Sequence, residues 1–164
     1  MINALKFSLI ISFIFLLISC SEEPDEQPLV EKSLRIEVEM EGSVDQYLVQ
    51  FGINSLYKGQ SGFVRPVIVQ PNDLEWTQNI EQANTFNLST TGTFAQLIVE
   101  SEEPVHTVNF VFNVVHAGDI PDADFEDLTA TITVYGDNAE VHTYQYTARP
   151  VGEVSIPLSE TIRF

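Results

Sequence analysis

Between Leu34 and Glu41 apolar and charged residues alternate without a break: Leu34, Ile36, Val38 and Met40 against Arg35, Glu37, Glu39 and Glu41. Successive side chains of an extended strand point to opposite faces, so this segment buries all four apolar groups together only as a strand. Wound into a helix, it would scatter them around the circumference. The same period returns along the chain. Residues 46–53 read as a second strand, and Gly42-Ser43 between the two predicts a β-hairpin with a short turn. Residues 54–61 read as a turn. Residues 63–69 read as a strand, and Pro66, which has no N–H to donate, places it at an edge or a bulge.

Residues 70–84, which hold the lone Trp76, read as a crossing loop or a short helical turn. Residues 85–88 and 94–100 alternate again. Residues 108–115 are the most apolar stretch after the first twenty residues. Val108, Phe110, Phe112 and Val114 fill one face, and Val111 and Val115 make the other partly apolar, the pattern of a central strand covered on both sides. Residues 128–135 and 140–147 flank Gly136-Asp137-Asn138 as a hairpin, and residues 152–164 supply one or two last strands. About eight strands at spacings near ten residues, with no convincing helix, indicate an all-β fold. The expected architecture is a single β-sandwich over residues 33–164, immunoglobulin-like in architecture; a barrel is the neighbouring alternative. The Cys and Trp marks of antibody domains are missing, and no repeat of fixed period points to a solenoid or propeller.

The N-terminus has a different character. Lys6 precedes an apolar run over residues 7–18, and the small Ser19 precedes Cys20, the single cysteine. Those are the parts of a secretory signal. The run is short for a membrane-spanning helix, which needs about 20 apolar residues. The flank beyond it, Ser21-Glu22-Glu23-Pro24-Asp25-Glu26, is acidic where a stop-transfer flank is positive. An uncleaved anchor helix is therefore the poorer alternative. Leu17-Ile18-Ser19-Cys20 resembles the lipobox of bacterial lipoproteins. The resemblance implies that residues 1–19 are removed and that Cys20 carries a diacylglycerol on its sulfur and an acyl chain on its new amino terminus. Several chains exceed the two signals that stable anchoring takes. A free reactive Cys20 is the competing reading. Ser21-Glu22-Glu23 resembles the acidic export signal of lipoproteins of the Bacteroidetes type, which implies the outer face of the bacterial outer membrane. Residues 20–32 then form an acidic tether, since acids with Pro24 and Pro28 bury too little apolar surface to fold.

Charge narrows the partners. The chain carries 24 acidic and 7 basic residues, a formal net charge of −17, and every acid lies after Cys20. Binding to phosphate backbones needs clustered Lys and Arg, so nucleic acid is excluded as a partner. The same balance argues against direct adhesion to an anionic membrane face, leaving the lipid anchor as the membrane contact. Without a second Cys, the domain rests on packing alone, which a chain of this length achieves by burying roughly two-thirds of its unfolded surface.

Candidate chemistry is sparse. Asp122, Asp124 and Glu126 fall at alternate positions in an acidic loop, and hard oxygen ligands at that spacing suit Ca²⁺. The EF-hand pattern is not met, and a solvated loop is the plainer reading. His106, His116 and His142 lie on different strands without the paired spacing of a zinc site. His142 shares a strand face with Tyr144 and Tyr146. No Gly-x-Ser-x-Gly elbow or His-Glu-x-x-His motif is present. Carboxylate pairs for sugar hydrolysis form in space rather than in sequence, which keeps a small hydrolase as a distant reading. Trp76, Tyr144 and Tyr146 are the ligand-binding candidates, since exposed aromatics stack on sugars or anchor interfaces; core packing is their commoner fate.

The order Leu74-Glu75-Trp76, Phe86-Asn87-Leu88, then Ala130-Thr131-Ile132-Thr133-Val134-Tyr135-Gly136-Asp137 resembles small accessory-lipoprotein β-sandwiches of transport systems. The leading expectation is a lipid-anchored, non-catalytic module that binds a protein or glycan at the cell surface. A structural accessory subunit of an outer-membrane complex is the second reading.

Overall fold

The structure, a computed structural model, describes residues 29–78, 84–117, 127–149 and 153–164. Residues 1–28, which hold the expected signal, Cys20 and most of the tether, lie outside it. Eleven strands are formed among the described residues: β1 (Leu34–Glu41), β2 (Tyr47–Lys58), β3 (Gly62–Phe63), β4 (Pro66–Gln70), β5 (Thr77–Gln78), β6 (Phe86–Thr91), β7 (Gln96–Ser101), β8 (Thr107–His116), β9 (Thr129–Gly136), β10 (Ala139–Thr147) and β11 (Leu158–Arg163). They build two antiparallel sheets. The first has the order β10-β9-β1-β7-β4; the second has β11-β8-β2-β6-β5, with β3 added against β2. The expected all-β sandwich is what forms. Its strand count exceeds eight partly because β3 and β5, of two residues each, are too short to show a period.

One core joins the sheets. Ile36, Val38, Leu97, Val99, Ile132 and Val134 from the first meet Val49, Phe51, Ile53, Phe110 and Phe112 from the second. The rings interlock: Phe51 stacks on Phe110 at 6.0 Å, and Tyr146 of the first sheet meets Phe112 edge-on at 5.1 Å.

Three expectations are corrected. β1 and β2 are not a hairpin: β1 pairs with β7 and β9, whereas β2 pairs with β6 and β8. Both strands carry an apolar face, and those faces meet across the sandwich, so the short turn of Val44–Gln46 carries the chain between sheets. Gly42 permits the crossing with φ +104°; a side chain there would run into the carbonyl of Asp127. Second, residues 54–58 are strand rather than turn, because a register shift between Ile53 and Ser55 lets β2 continue against β8 to Tyr57. Only residues 59–61 turn the chain into β3. Third, β8 is covered on one side only. Val108, Phe110, Phe112 and Val114 are buried, while Asn109, Val111, Asn113 and Val115 are half-buried on the outer face.

Other expectations hold. β4, with Pro66, is the edge of the first sheet and shifts register between Ile68 and Gln70. β9 and β10 form the late hairpin, with Asp137 (φ 54°) and Asn138 (φ 65°) both left-handed, the geometry that suits a two-residue hairpin loop.

Candidate functional site

The two outer faces of the sandwich differ in chemistry. On the second sheet β2 directs Leu48, Gln50, Gly52 and Asn54 outward, flanked by Asn87, Ser89 and Thr91 of β6 and by Asn109, Val111 and Asn113 of β8. This set contains no carboxylate, in a chain with 24 acids. Gly52, without a side chain, leaves a depression at its centre. A groove of about 370 Å³ opens there, walled by Gln50, Asn54, Asn87, Ser89 and Asn113 and floored by Val111 and Pro157. A Cβ at Gly52 would lie 3.1 Å from Asn87 Oδ1, so the Asn87 amide leans over the bare backbone.

The amides are partly held and partly available. Asn113 Nδ2 donates to Gln50 Oε1 at 3.0 Å. Asn54 Nδ2 donates to Asn109 Oδ1 at 3.3 Å, and Asn109 Nδ2 to Thr161 Oγ1 at 3.1 Å. Gln50 Nε2, the Asn87 amide and the Ser89 hydroxyl make no hydrogen bond within the described residues. The groove thus offers uncharged donors and acceptors around an apolar floor, with no titratable group in its lining. Such a surface hydrogen-bonds hydroxyls and amides and offers no counter-ion to a charged ligand.

Tyr146, expected as a ligand residue, points inward and is 7% exposed. Its hydroxyl donates to Asn113 Oδ1 at 3.1 Å and accepts from Val114 N at 3.4 Å. The β8–β11 ladder ends at the Phe112–Leu158 pair, so among the described residues Val114 has no strand partner on that side. Tyr146 answers its N–H, and the Ser155 hydroxyl donates to its carbonyl at 2.9 Å, with Asn113 Oδ1 within reach as the alternative acceptor. The outward tyrosine pair expected from the sequence is therefore not formed. Tyr144 is half-buried, edge-on to Phe110 at 6.1 Å, with His142 stacked on it at 6.0 Å. Burial, then the Glu160 carboxylate, raises the Tyr144 phenol above its ordinary value.

Trp76 packs against Phe51 and Phe86, each at 6.2 Å, and forms one wall of a second cleft of about 410 Å³ with Leu74, Arg65, Glu75 and Glu102. Its indole N–H is buried without a partner among the described residues. Asp122, Asp124 and Glu126 lie outside the described residues, as does Cys20. Among the described residues no group of three or more His, Cys, Asp or Glu is placed to hold a metal ion. The histidines are far apart in their contacts: His106 Nε2 reaches Gly59 O at 2.8 Å, and His116 lies against Tyr47 at 4.8 Å.

The groove residues escape a reading of single segments, because they come from β2, β6 and β8. A signal exists nonetheless: in each of these strands the outward phase is free of charge, whereas that of β1 is fully charged.

Solved structures share the fold. A DUF4425 family protein from Bacteroides ovatus superposes with a TM-score of 0.56 at 12% identity, over 80% of this chain and 96% of that one. A domain of unknown function, DUF4425, from Bacteroides vulgatus gives 0.56 at 15% identity, over 82% and 97%. A protein from Parabacteroides distasonis, solved by NMR in a calcium-bound form, gives 0.59 at 12% identity, over 85% and 99%. No family model matches the sequence, and no curated protein matches it. At these identities the likeness establishes the two-sheet fold alone.

Proposed function

We propose that this protein is a lipid-anchored envelope lipoprotein whose sandwich binds a neutral glycan in the groove around Gly52, without catalysis. The observation that carries this reading is the carboxylate-free ring of Gln50, Asn54, Asn87, Ser89 and Asn113 over Val111 and Pro157. Sugar hydroxyls pair with amides in both directions, and the apolar C–H faces of a sugar ring cover Val111 and Pro157. The anchor is supported by the likeness of residues 17–20 to a lipobox, and the outer-membrane surface by the likeness of residues 21–23 to an export signal. A glycan screen followed by calorimetry tests the binding. Val111→Glu places a carboxylate on the floor of the groove and is expected to abolish binding with the fold intact. Because no lining group titrates, affinity is expected to stay level between pH 5 and 8. A neutral glycan whose affinity is untouched by Val111→Glu would end the assignment to this groove.

A second reading concerns calcium, favoured by the calcium-bound form of the Parabacteroides distasonis protein. The carboxylates of Asp122, Asp124 and Glu126 are the ligands it would use. Their oxygen donors suit the ion by type, while the described residues offer no alternative set. Calcium is then expected to raise the melting temperature, and the triple Asn/Asn/Gln variant to lose that rise.

A further inference from the structure

Six basic residues follow Cys20, and five of them gather at one end of the sandwich. Lys32 bridges to Val105, Arg35 stands opposite Glu100, Lys58 opposite Gly62, and Arg163 opposite Thr107; the carbonyl of Arg65 accepts from Glu102 N at 3.1 Å. This is the end where β1 begins and β2, β7 and β11 finish. Arg149 alone stands at the opposite end, just past β10, on the side of Glu41, Asp45 and Asp127.

The same end also carries Glu31, Glu37, Glu100, Glu102, Glu103 and Asp137, so its charges are mixed, and it exposes apolar side chains. Tyr57 (40% exposed) and Phe63 (52%) are cross-strand partners at the β2–β3 tip. Glu31 Oε1 accepts from Gly59 N at 2.7 Å, which brings Val30 and Leu29, about half exposed, in beside the same tip. Lys58 is paired with Glu103, and Arg35 with Glu37 and Glu100. Lys32, Arg65 and Arg163 make no ion pair among the described residues. Lys32 Nζ lies over the Phe164 ring at 5.9 Å, while Arg65 follows Phe63 by two residues and Arg163 stands opposite Thr107, the partner of Tyr57. Val154 and Ile156 are exposed elsewhere, without such a cluster of bases or the chain entry.

The chain enters the domain at this end. From Cys20 to Leu29 there are nine residues (29 − 20), which reach at most about 30 Å even when fully extended. Resting on the lipid-anchor reading above, we infer that the Tyr57–Phe63 end docks on the lipid surface that holds the anchor, and that the opposite end and the groove stand away from it. Aromatic rings of this kind settle at the headgroup level, and Lys32, Arg65 and Arg163 meet lipid phosphates. Glu31, Glu100, Glu102 and Glu103 stand among these bases, so the contact rests on the apolar and aromatic side chains rather than on net charge.

Depth-dependent quenching of the full-length, lipidated protein in phosphatidylcholine vesicles containing brominated lipid tests this. With Cys20 acylated, a fluorophore goes on a new cysteine at Gln60→Cys, in the β2–β3 turn, or at Val154→Cys, away from it. Loss of fluorescence is expected at position 60 and none at 154, and Tyr57→Ser with Phe63→Ser is expected to relieve the loss at 60. Protein that floats with the vesicles but shows no quenching at 60, or equal quenching at both positions, overturns the docking alone. Protein that fails to float overturns the anchor reading and the docking with it.

Discussion

On the outside of the first sheet β1 shows Arg35, Glu37, Glu39 and Glu41 to solvent; on the outside of the second, β2 shows Leu48, Gln50, Gly52 and Asn54. Both strands have two neighbours in their sheets, and both bury four alternate apolar residues at this stretch: Leu34, Ile36, Val38 and Met40 in one, Tyr47, Val49, Phe51 and Ile53 in the other. The core therefore asks the same of each and leaves the outward phase free. In the first sheet that phase carries charge, with Glu37 between Thr133 and Ile98 and Arg35 between Tyr135 and Glu100. In the second it carries amides around a bare glycine. The first face is charged and solvated; the second keeps charge out of a concave surface lined by amides.

The comparison breaks most severely at the layer the two faces share. Phe112→Ala removes the ring that meets Tyr146 and opens a cavity between the sheets, at an expected cost of about 3–5 kcal/mol by denaturant unfolding. A loss confined to the second sheet in hydrogen exchange would show that the sheets unfold separately. Next in size is Tyr146→Phe. Val114 N–H then lies buried without its partner, which costs about 1–3 kcal/mol and is expected to disturb Asn113 at the groove wall. Glycan affinity should fall with it, linking an inward residue of the first sheet to the outer face of the second.

Arg35→Ala sharpens the contrast between the faces. Its ion pairs with Glu37 and Glu100 are part-exposed, so the expected loss is about 0–1 kcal/mol and shrinks in high salt. Asn54→Ala, on the amide face, should show a loss independent of salt. The smallest effect is alkaline. Tyr144 has its folded pKa raised above the unfolded value of about 10, so the stability from its neutral phenol is complete below pH 10. It drains away as pH rises through the folded pKa. Tyr144→Phe is expected to flatten that decline in an unfolding series above pH 10.

Much of this was legible in the residues. The inward phase of β1, β8 and β9 could be read directly, and so could the β9–β10 loop, because Gly136-Asp137-Asn138 concentrates residues that tolerate positive φ. The expected hairpin of residues 34–53 failed because a short turn between two amphipathic strands is compatible with pairing edge to edge or with packing face to face. Gly42 could be seen, but not the Asp127 carbonyl that requires it. Residues 54–58 looked like a turn because a bulge interrupts the alternation by one residue, and pairing with β8 restores the strand. Tyr146 shared a strand face with Tyr144 and His142, yet nothing local says that Val114 lacks a partner at the end of the β8–β11 ladder.

By itself the sequence determined that this chain forms amphipathic strands, which residues of each are apolar, and that acids greatly outnumber bases. Those are properties of a two-residue period and of composition, and both are local. The tertiary structure decided which strands pair, that β1 and β2 face each other across the core, that Gln50, Asn87 and Asn113 stand around Gly52, and that the bases collect where the chain enters. The physical reason is register: a strand's period says which side chains share a face, but only its neighbours' alignment says what stands beside them.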